Sequence, residues 1–253
     1  MGVATNWRSG ASAAMLIAAL AGAGAAHASV VIGGTRVVYP EKEREVTVKL
    51  TNVGDRPSLV QAWVDDGNAN ALPDDSKVPF MLTPPLFRLD PKKGQSLRLT
   101  YTKEPLARDK ETLFWLNVLD VPPKADDADE PNLLQLAFRS RIKLFFRPAG
   151  LEGVADESAE SVTWNFAPKA GGGYALEARN PTPYHVTFTR LVVKSGDTTW
   201  HNETGGMVAP GGTERFDVGN VQSPPAGPLE VDYTFLDDYG AGVQGRYARK
   251  AAH

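Results

Sequence analysis

The sequence predicts an all-β protein made of two immunoglobulin-like β-sandwich domains. Short runs of alternating apolar and polar residues recur along the chain, and 24 glycines and 19 prolines supply turn residues between them. No stretch keeps an apolar period of 3.6 residues, so almost no helix is expected. The length suits two domains of about 100 residues or one large sandwich. A break in the strand pattern near residue 150 favours two domains.

The start of the chain predicts a secretory signal peptide, residues 1–28. An apolar stretch follows the single basic residue Arg8, and Ala26-His27-Ala28 places small side chains at the cleavage site. The apolar stretch is too short to span a membrane, and no later stretch reaches 18 apolar residues. A buried N-terminal helix is the alternative interpretation. We predict cleavage before Ser29 and an exported protein that does not insert into a membrane.

Cleavage would leave 225 residues (253 minus 28) with 26 basic and 30 acidic side chains, since Arg8 is the one charge removed. This mildly acidic balance gives no electrostatic reason to expect a nucleic-acid partner. The chain contains no cysteine, so the fold must depend on its core without disulfides.

The first half of the chain contains about seven strand segments in roughly 120 residues, a number typical of an immunoglobulin-like sandwich. In chain order the segments are Val30–Val38, Glu45–Thr51, Ser58–Val64, Phe80–Thr83 with Leu86–Leu89 across Pro84-Pro85, Ser96–Thr102, Thr112–Leu119 and Asn132–Pro148.

The last of these segments has two unlike faces. One face is apolar and carries Leu134, Leu136, Phe138, Ser140, Ile142, Leu144 and Phe146. The other is largely basic and carries Gln135, Ala137, Arg139, Arg141, Lys143 and Arg147, with Phe145 as the exception. A strand of roughly 15 residues would exceed the usual length of 3–10. Such a strand either pairs fully within its own sheet or is available to another chain. The alternation alone favours apolar side chains that face the core of their own domain.

The segment Pro148–Gly153 is the predicted domain boundary, because a proline and two glycines interrupt the strand pattern there. We therefore predict domains at residues 29–147 and 148–253. The second domain has weaker strand segments, at Val162–Phe166, Tyr174–Arg179, His185–Lys194, Glu214–Val218 and Glu230–Leu236. Gly171-Gly172-Gly173 and Gly211-Gly212 are predicted hairpin turns.

Motifs that would indicate an enzyme are missing from the sequence. It has no Gly-x-Ser-x-Gly elbow, P-loop or His-Glu-x-x-His motif. The three histidines outside the signal peptide, which are His185, His201 and His253, are too scattered to predict a metal site. Asp66 begins a segment like a calcium loop, but Ala71 stands where the loop needs glycine. We expect no catalytic residue, no metal and no cofactor.

The order and spacing of seven motifs carry a family resemblance that spans almost the whole mature chain. The motifs are Gly34–Pro40, Leu59–Asp65, Pro79-Phe80 with Thr83–Leu89, Glu111–Val118, Leu134–Pro148, Asn180–Tyr184 and Asp237–Gly240. With these motifs the chain resembles the PapD-like periplasmic chaperones of the chaperone–usher pathway, which build pili. The resemblance implies two sandwiches with a cleft between them.

The resemblance also implies a function. Chaperones of this family bind, fold and cap pilus subunits by donor-strand complementation and deliver them to an outer-membrane usher. Leu134, Leu136 and Phe138 would be the side chains inserted into the subunit. An exposed apolar strand edge also favours a self-capping homodimer when the chaperone is free.

Two further sets of residues take their expected roles from the resemblance. Arg36 and Lys143 match the pair that binds the C-terminal carboxylate of the subunit, although without the resemblance they would be two solvated strand cations. Glu111, Arg147 and Asp238 match an ion network between the domains, which otherwise would be three separate surface charges.

Two other classes of protein are possible from the sequence. An exported two-domain sandwich that binds carbohydrate or another ligand would present a cluster of exposed aromatic residues. The tryptophans Trp63, Trp115, Trp164 and Trp200 are scattered instead, and the first two lie in strand segments that resemble core. A pilus subunit would offer one domain and a free donor extension, which this chain lacks.

Overall fold

Strands with one buried and one exposed face make up most of the structure. The computed structural model describes residues 29–124, 135–225 and 227–249. In β3 (Val46–Asn52) and β7 (Gly94–Tyr101), buried and exposed side chains alternate, so each strand turns one face to a core. This pattern recurs in both halves of the chain and confirms the all-β prediction.

Strands β1 to β9 form the N-terminal sandwich. The remaining strands of this sandwich are β1 (Val30–Ile32), β2 (Arg36–Pro40), β4 (Ser58–Asp65), β5 (Phe80–Thr83), β6 (Leu86–Leu89), β8 (Thr112–Val121) and β9 (Phe138–Arg147). One sheet has the order β1-β3-β7-β5, and the other has the order β2-β9-β8-β4-β6. All of these pairs are antiparallel except β2 and β9, which run parallel.

The segment Val30–Val38 forms two strands and not the single one predicted. β1 pairs with β3 in one sheet, whereas β2 pairs with β9 in the opposite sheet. The chain crosses between the sheets at Gly33 and Gly34. A Cβ atom at Gly33 would lie 3.2 Å from the carbonyl oxygen of Lys49, so a glycine allows the close approach that this crossing needs.

Strand β9 is shorter than the roughly 15 residues that the alternation predicted. It begins at Phe138 and has 10 residues, while Gln135–Ala137 are described but are not in a strand. Residues 132–134 lie outside the described residues. The partner strand explains the boundary, because the β8–β9 ladder starts at the pair Asp120–Phe138 and β8 is soon followed by Pro122-Pro123. Proline has no N–H to continue a ladder.

Strands β10 to β17 form the C-terminal sandwich. They are β10 (Thr163–Pro168), β11 (Tyr174–Arg179), β12 (Val186–Ser195), β13 (Thr198–Asn202), β14 (Gly206–Val208), β15 (Thr213–Val221), β16 (Leu229–Leu236) and β17 (Gly242–Arg249). One sheet has the order β10-β11-β15, and the other has the order β13-β12-β16-β17, with β14 also pairing with β12. Two short 3₁₀ helices are described, at Pro73–Asp75 and Ala155–Ser161.

The sequence prediction missed β13, β14 and β17. β17 contains Gly242 and Gly245, and these glycines interrupt its alternation of apolar and polar side chains, which hides a strand pattern. The turn Gly171–Gly173 joins β10 to β11, which confirms the predicted hairpin. The predicted hairpin at Gly211-Gly212 is wrong, because this turn carries the chain from β14 to β15 in the other sheet. Hydrophobic packing between the sheets, not pairing, brings these two strands together.

Each sandwich encloses its own hydrophobic core. Leu97, Leu116 and Leu144 are fully buried between the N-terminal sheets. Trp164 and Leu176 are buried in the C-terminal core, where Trp164 packs against several aromatic rings. Each such side chain contributes on the order of 1.5–3 kcal/mol by its burial. Two separate cores leave the surfaces that face each other free to carry polar groups.

Candidate functional site

Strand β9 has one edge that is only half covered. Its other edge pairs with β8 along nine of its ten residues, from Thr112–Phe146 to Asp120–Phe138. On the half-covered edge, β2 pairs only with Lys143–Arg147, and within the described residues no strand pairs with Phe138–Ile142. Backbone N–H and C=O groups along this open stretch are therefore available to an added strand.

The apolar residues predicted for strand donation lie at the start of this open edge. Leu134 lies outside the described residues. Leu136 precedes β9 and is 47% exposed, and Phe138 is the first residue of the strand and is half-buried. Further along the same face, Ile142 packs against the N-terminal core. The structure thus leaves an exposed apolar side chain beside an unpaired strand edge.

Arg36 and Lys143 lie side by side where the open edge ends. They are directly opposite each other in the parallel β2–β9 pair, so their side chains project from the same face of the sheet. Arg36 Nη1 donates to the carbonyl oxygen of Leu236 at 3.2 Å, but its Nε is buried and has no hydrogen-bond partner among the described residues. Lys143 has neither a hydrogen bond nor an ion pair within the same part of the chain.

The surroundings of both cations disfavour their charge. Burial lowers the pKa of Arg36 despite the attraction of Asp238, Asp237 and Glu111. Burial and the nearby charge of Arg36 also lower the pKa of Lys143. Two neighbouring half-buried cations with free donors form a site to which a carboxylate would be complementary.

On the basic face of β9, beyond Lys143, two arginine side chains stack on tryptophan rings. Arg139 lies 4.8 Å from the ring centre of Trp63, and Arg141 lies 4.1 Å from that of Trp115. Both tryptophans therefore lie on the face of the sheet that is turned away from the core cluster, although Trp63 is itself buried. The strand segments that carry them supply core residues, as the sequence predicted, but through the other face. In a strand, neighbouring residues alternate between faces, so apolar character alone did not reveal which face each ring occupies.

The carboxylate of Asp65 fixes the positions of these arginine side chains. This buried carboxylate accepts two hydrogen bonds from Arg141, at 2.6 and 3.0 Å, and one from Asn117 Nδ2 at 2.7 Å. Burial alone would raise the pKa of Asp65, but the hydrogen bonds from Arg141, Asn117 and the Gly67 N–H outweigh it and lower the pKa. Asn117 Oδ1 in turn accepts from Arg139. These bonds fix the basic side chains of β9 against β4 and β8.

The structure brings the three predicted network residues together between the two sandwiches. Arg147 Nε donates to Glu111 Oε1 at 2.8 Å, and its Nη1 and Nη2 donate to the two carboxylate oxygens of Asp238, each at 2.6 Å. Burial opposes the charge of Arg147, but hydrogen bonds and attraction from both carboxylates raise its pKa above the ordinary value. Glu111 is almost fully buried, whereas Asp238 is about one third exposed.

His185 is a fourth member of this network that the sequence analysis did not identify. Its backbone N–H donates to Glu111 Oε2 at 2.8 Å, and its Nδ1 lies 3.1 Å from the same oxygen. The ring packs on Phe145 with centroids 5.2 Å apart, and Arg36 lies over that phenylalanine at 5.7 Å. The one indication in the sequence was that His185 directly follows the Asn180–Tyr184 motif. His185 connects the network to the cation pair.

We expect His185→Phe to lower the free energy of unfolding by about 1–2 kcal/mol. The ring contact with Phe145 and the backbone hydrogen bond to Glu111 remain, but the hydrogen bond between Nδ1 and buried Glu111 is lost. Urea unfolding followed by tryptophan fluorescence measures the change. His201→Phe is the matched control, since His201 is exposed on β13. Equal midpoints for the two variants would show that the Nδ1 contact contributes nothing.

The residues that the structure describes contain neither a membrane-spanning helix nor a cluster of metal ligands. No helix in that part of the chain is long and apolar enough to cross a membrane. No group of three or more histidine, cysteine or acidic side chains there is arranged to hold a metal ion.

Comparison with known proteins identifies both sandwiches. Residues 29–152 match the family model described as "Pili and flagellar-assembly chaperone, PapD N-terminal domain", and residues 157–247 match "Pili assembly chaperone PapD, C-terminal domain". The chain is 44% identical to the chaperone protein FimB/FhaD of Bordetella pertussis over 242 residues, which cover 93% of this chain and 95% of that protein. It is 41% identical to the probable fimbrial chaperone YadV of Escherichia coli, covering 86% of this chain and 89% of that protein.

Solved structures agree with the sequence relatives. The crystal structure of the YadV chaperone superposes with a TM-score of 0.73 at 37% identity, covering 87% of this chain and all of that one. The SafB chaperone in its complex with the Salmonella enterica SafA pilin matches with a TM-score of 0.70 at 25% identity, covering 90% of this chain and 98% of that one. With both domains matched in order, the chain belongs to the PapD family of pili assembly chaperones.

Proposed function

We propose that this protein is a periplasmic chaperone that binds, folds and caps pilus subunits by donating strand β9, and that it delivers them to an outer-membrane usher. It acts by binding and not as an enzyme. The observation that carries the proposal is the open stretch Phe138–Ile142, which ends beside the cation pair Arg36–Lys143. The relative SafB, which was solved in complex with a pilin, supports it.

The open edge specifies how a subunit strand would pair. β2 runs parallel to β9 on that edge and begins at Arg36, opposite Lys143. A subunit strand laid along Phe138–Ile142 and ending at Arg36 would therefore run parallel to β9, in line with β2. Its C-terminal carboxylate would meet both cations. Charge-assisted hydrogen bonds from the two cations would set the register of the added strand.

Apolar side chains at the start of β9 would supply the rest of the binding energy. Leu134, Leu136 and Phe138 would fill the groove of a subunit that lacks its own last strand. Full burial of each side chain contributes roughly 1.5–3 kcal/mol. The entropy lost on association and ordering opposes this gain, so the sum is an upper bound on the affinity. The same exposed edge would also pair with a second copy of the free chaperone.

The ion network would set the angle between the sandwiches. Arg147 and Glu111 belong to the N-terminal sandwich, while Asp238 and His185 belong to the C-terminal one. The network would hold β16 close enough for the Leu236 carbonyl to accept from Arg36, as it does at 3.2 Å. We infer that it shapes the cleft in which the subunit terminus would bind.

The test is to purify the tagged protein from the periplasm of its own host and to identify co-purifying proteins by mass spectrometry. A stoichiometric small β-rich subunit is expected. A bound sugar, or no partner at all, would instead support the two-domain ligand-binding protein. No cluster of exposed aromatic residues favours that alternative, since the large exposed apolar residues found in the described ranges include one aromatic, Tyr239.

We expect Phe138→Asp to weaken subunit binding by roughly tenfold or more, since a charge would replace an inserted apolar side chain. Phe138 is half-buried and is the first residue of β9, so the fold should persist after the substitution. The yield of subunit that co-purifies with each variant measures the effect. Met81→Asp, on an exposed side chain of β5 in the other sheet of this sandwich, is the control. Equal yields from both variants would contradict insertion of Phe138.

A further inference from the structure

Ser29, the first residue after the predicted cleavage site, is held by contacts with the segment that contains Val53, Gly54 and Ser58. Its carbonyl oxygen accepts from the Val53 N–H at 2.8 Å, and its hydroxyl lies 2.8 Å from Ser58 Oγ. Gly54 makes room for it, since a Cβ there would lie 2.8 Å from the Ser29 Cβ. These contacts leave the backbone nitrogen of Ser29 little freedom of position.

The Ser29 nitrogen points at a buried carboxylate. It lies 3.1 Å from Asp120 Oδ2, which also accepts from the Ser29 hydroxyl at 2.7 Å and from the Val30 N–H at 3.1 Å. Asp120 is 4% exposed, and its second oxygen, Oδ1, is buried with no hydrogen-bond partner among the residues that the structure describes. No salt bridge to Asp120 is found in those residues either. A buried carboxylate with neutral donors only is destabilising, because charge needs a compensating charge away from water.

We propose that signal-peptide cleavage completes this site: the α-ammonium group created at Ser29 forms an ion pair with Asp120. The proposal rests on cleavage before Ser29 but does not depend on subunit binding. Hydrolysis adds one water across the Ala28–Ser29 peptide bond. Ala28 leaves with the carboxylate, and the Ser29 nitrogen gains two hydrogens to become –NH₃⁺. The single N–H of the precursor becomes an ammonium group with three donors and a positive charge. The neighbouring Asp120 carboxylate lacks a donor for Oδ1 and a compensating charge.

The ion pair lies at the start of the proposed donor strand. Asp120 is paired with Phe138 across the β8–β9 ladder. Ser29, Asp120, Leu136 and Phe138 line one surface hollow of about 330 Å³. The ammonium would therefore fasten β1 to β8 at the point where β9 begins. The precursor lacks this pair and would be less stable than the mature chain.

A thermodynamic cycle tests the pair. Four proteins are compared by urea unfolding: the chain beginning at Ser29 and the chain with Ala28 retained, each with Asp120 or with Asp120→Asn. Retaining Ala28 moves the ammonium away and should lower the folding equilibrium constant roughly tenfold to a hundredfold. In the Asp120→Asn background the two N-termini should be equally stable. An equal gap in both backgrounds, or no gap in either, would overturn the proposal.

The pH dependence provides a test that does not need the Asp120 variant to fold. A carboxylate raises the folded pKa of the ammonium above its unfolded value of about 8. The stability advantage of the Ser29 terminus should therefore be complete below that pH and disappear as the pH rises through the folded value. The other charged groups lining the hollow are Asp55, which pairs with Lys92, and Arg56. A gap that stays constant up to pH 10 would contradict the ion pair.

The intact mass of the exported protein separates this proposal from the chaperone function. A mature protein that begins at a residue other than Ser29 would overturn the ion pair even if a pilus subunit co-purifies. A protein that begins at Ser29 and shows the expected cycle, yet captures no subunit, would retain the ion pair and argue against the chaperone function.

Discussion

Arg36→Ala and Lys143→Ala should each abolish capture of pilus subunits while the chaperone stays folded. Each variant removes charge-assisted hydrogen bonds to the proposed terminal carboxylate, which are worth about 1.5–3 kcal/mol apiece. Affinity should therefore fall roughly tenfold to more than a hundredfold. Co-purification of subunit from the periplasm measures the loss, and circular dichroism of each purified variant tests the fold.

Arg98→Ala is the matched control, because Arg98 is an exposed strand arginine on the other sheet of the same sandwich. It should capture subunit normally. Arg36→Lys keeps the charge but removes the planar fork, so an intermediate loss is expected. Normal capture by both alanine variants would eliminate the proposed carboxylate site.

The two cations should also reduce the stability of the free chaperone. Burial lowers the pKa of Lys143 below its ordinary value of 10.5, so the folded state binds this proton less tightly than the unfolded state. The contribution of Lys143 to stability therefore improves as the pH rises through the lowered pKa towards 10.5. We expect Lys143→Met to unfold at the same or higher urea concentration than the parent protein at pH 7. A clear fall in its midpoint would show that Lys143 has a structural role.

Arg147→Ala should cause the largest loss of stability among the network variants, about 3–5 kcal/mol, because it leaves the buried Glu111 carboxylate without a compensating charge. Asp238→Ala should cost about 1 kcal/mol, since Asp238 is partly exposed to water. Urea midpoints of the purified variants provide the ranking. Subunit capture should fall with Arg147→Ala, because the two sandwiches would no longer be held at one angle.

Arg215→Ala is the control for this series. Its ion pair with Glu177 lies on the surface of the C-terminal sandwich, so its loss should change stability very little. The double variant Arg147→Met with Glu111→Leu should recover much of the lost stability, since it leaves no buried charge. Equal effects of Arg147→Ala and Arg215→Ala would show that the network does not hold the sandwiches together.

Local alternation was enough to predict most strands. Tyr174–Arg179 was predicted with the bounds that the structure shows, and Thr112–Leu119 was extended by only two residues. Both segments carry apolar side chains at every second position. β17 was missed because two of its eight residues are glycine and interrupt the alternation, although β16 pairs with it along eight residues. β17 is a strand because β16 pairs with it, and no pattern within β17 itself shows this.

The sequence by itself determined the all-β class, some of the turns and the residue types available to the site. The tertiary structure decided which edge of β9 stays open, that Arg36 lies opposite Lys143, and that His185 and Glu111 meet across the two sandwiches. The reason is physical. Alternation is a property of neighbouring residues, whereas strand pairing and ion contacts depend on which distant segments pack together, and no local pattern contains that information.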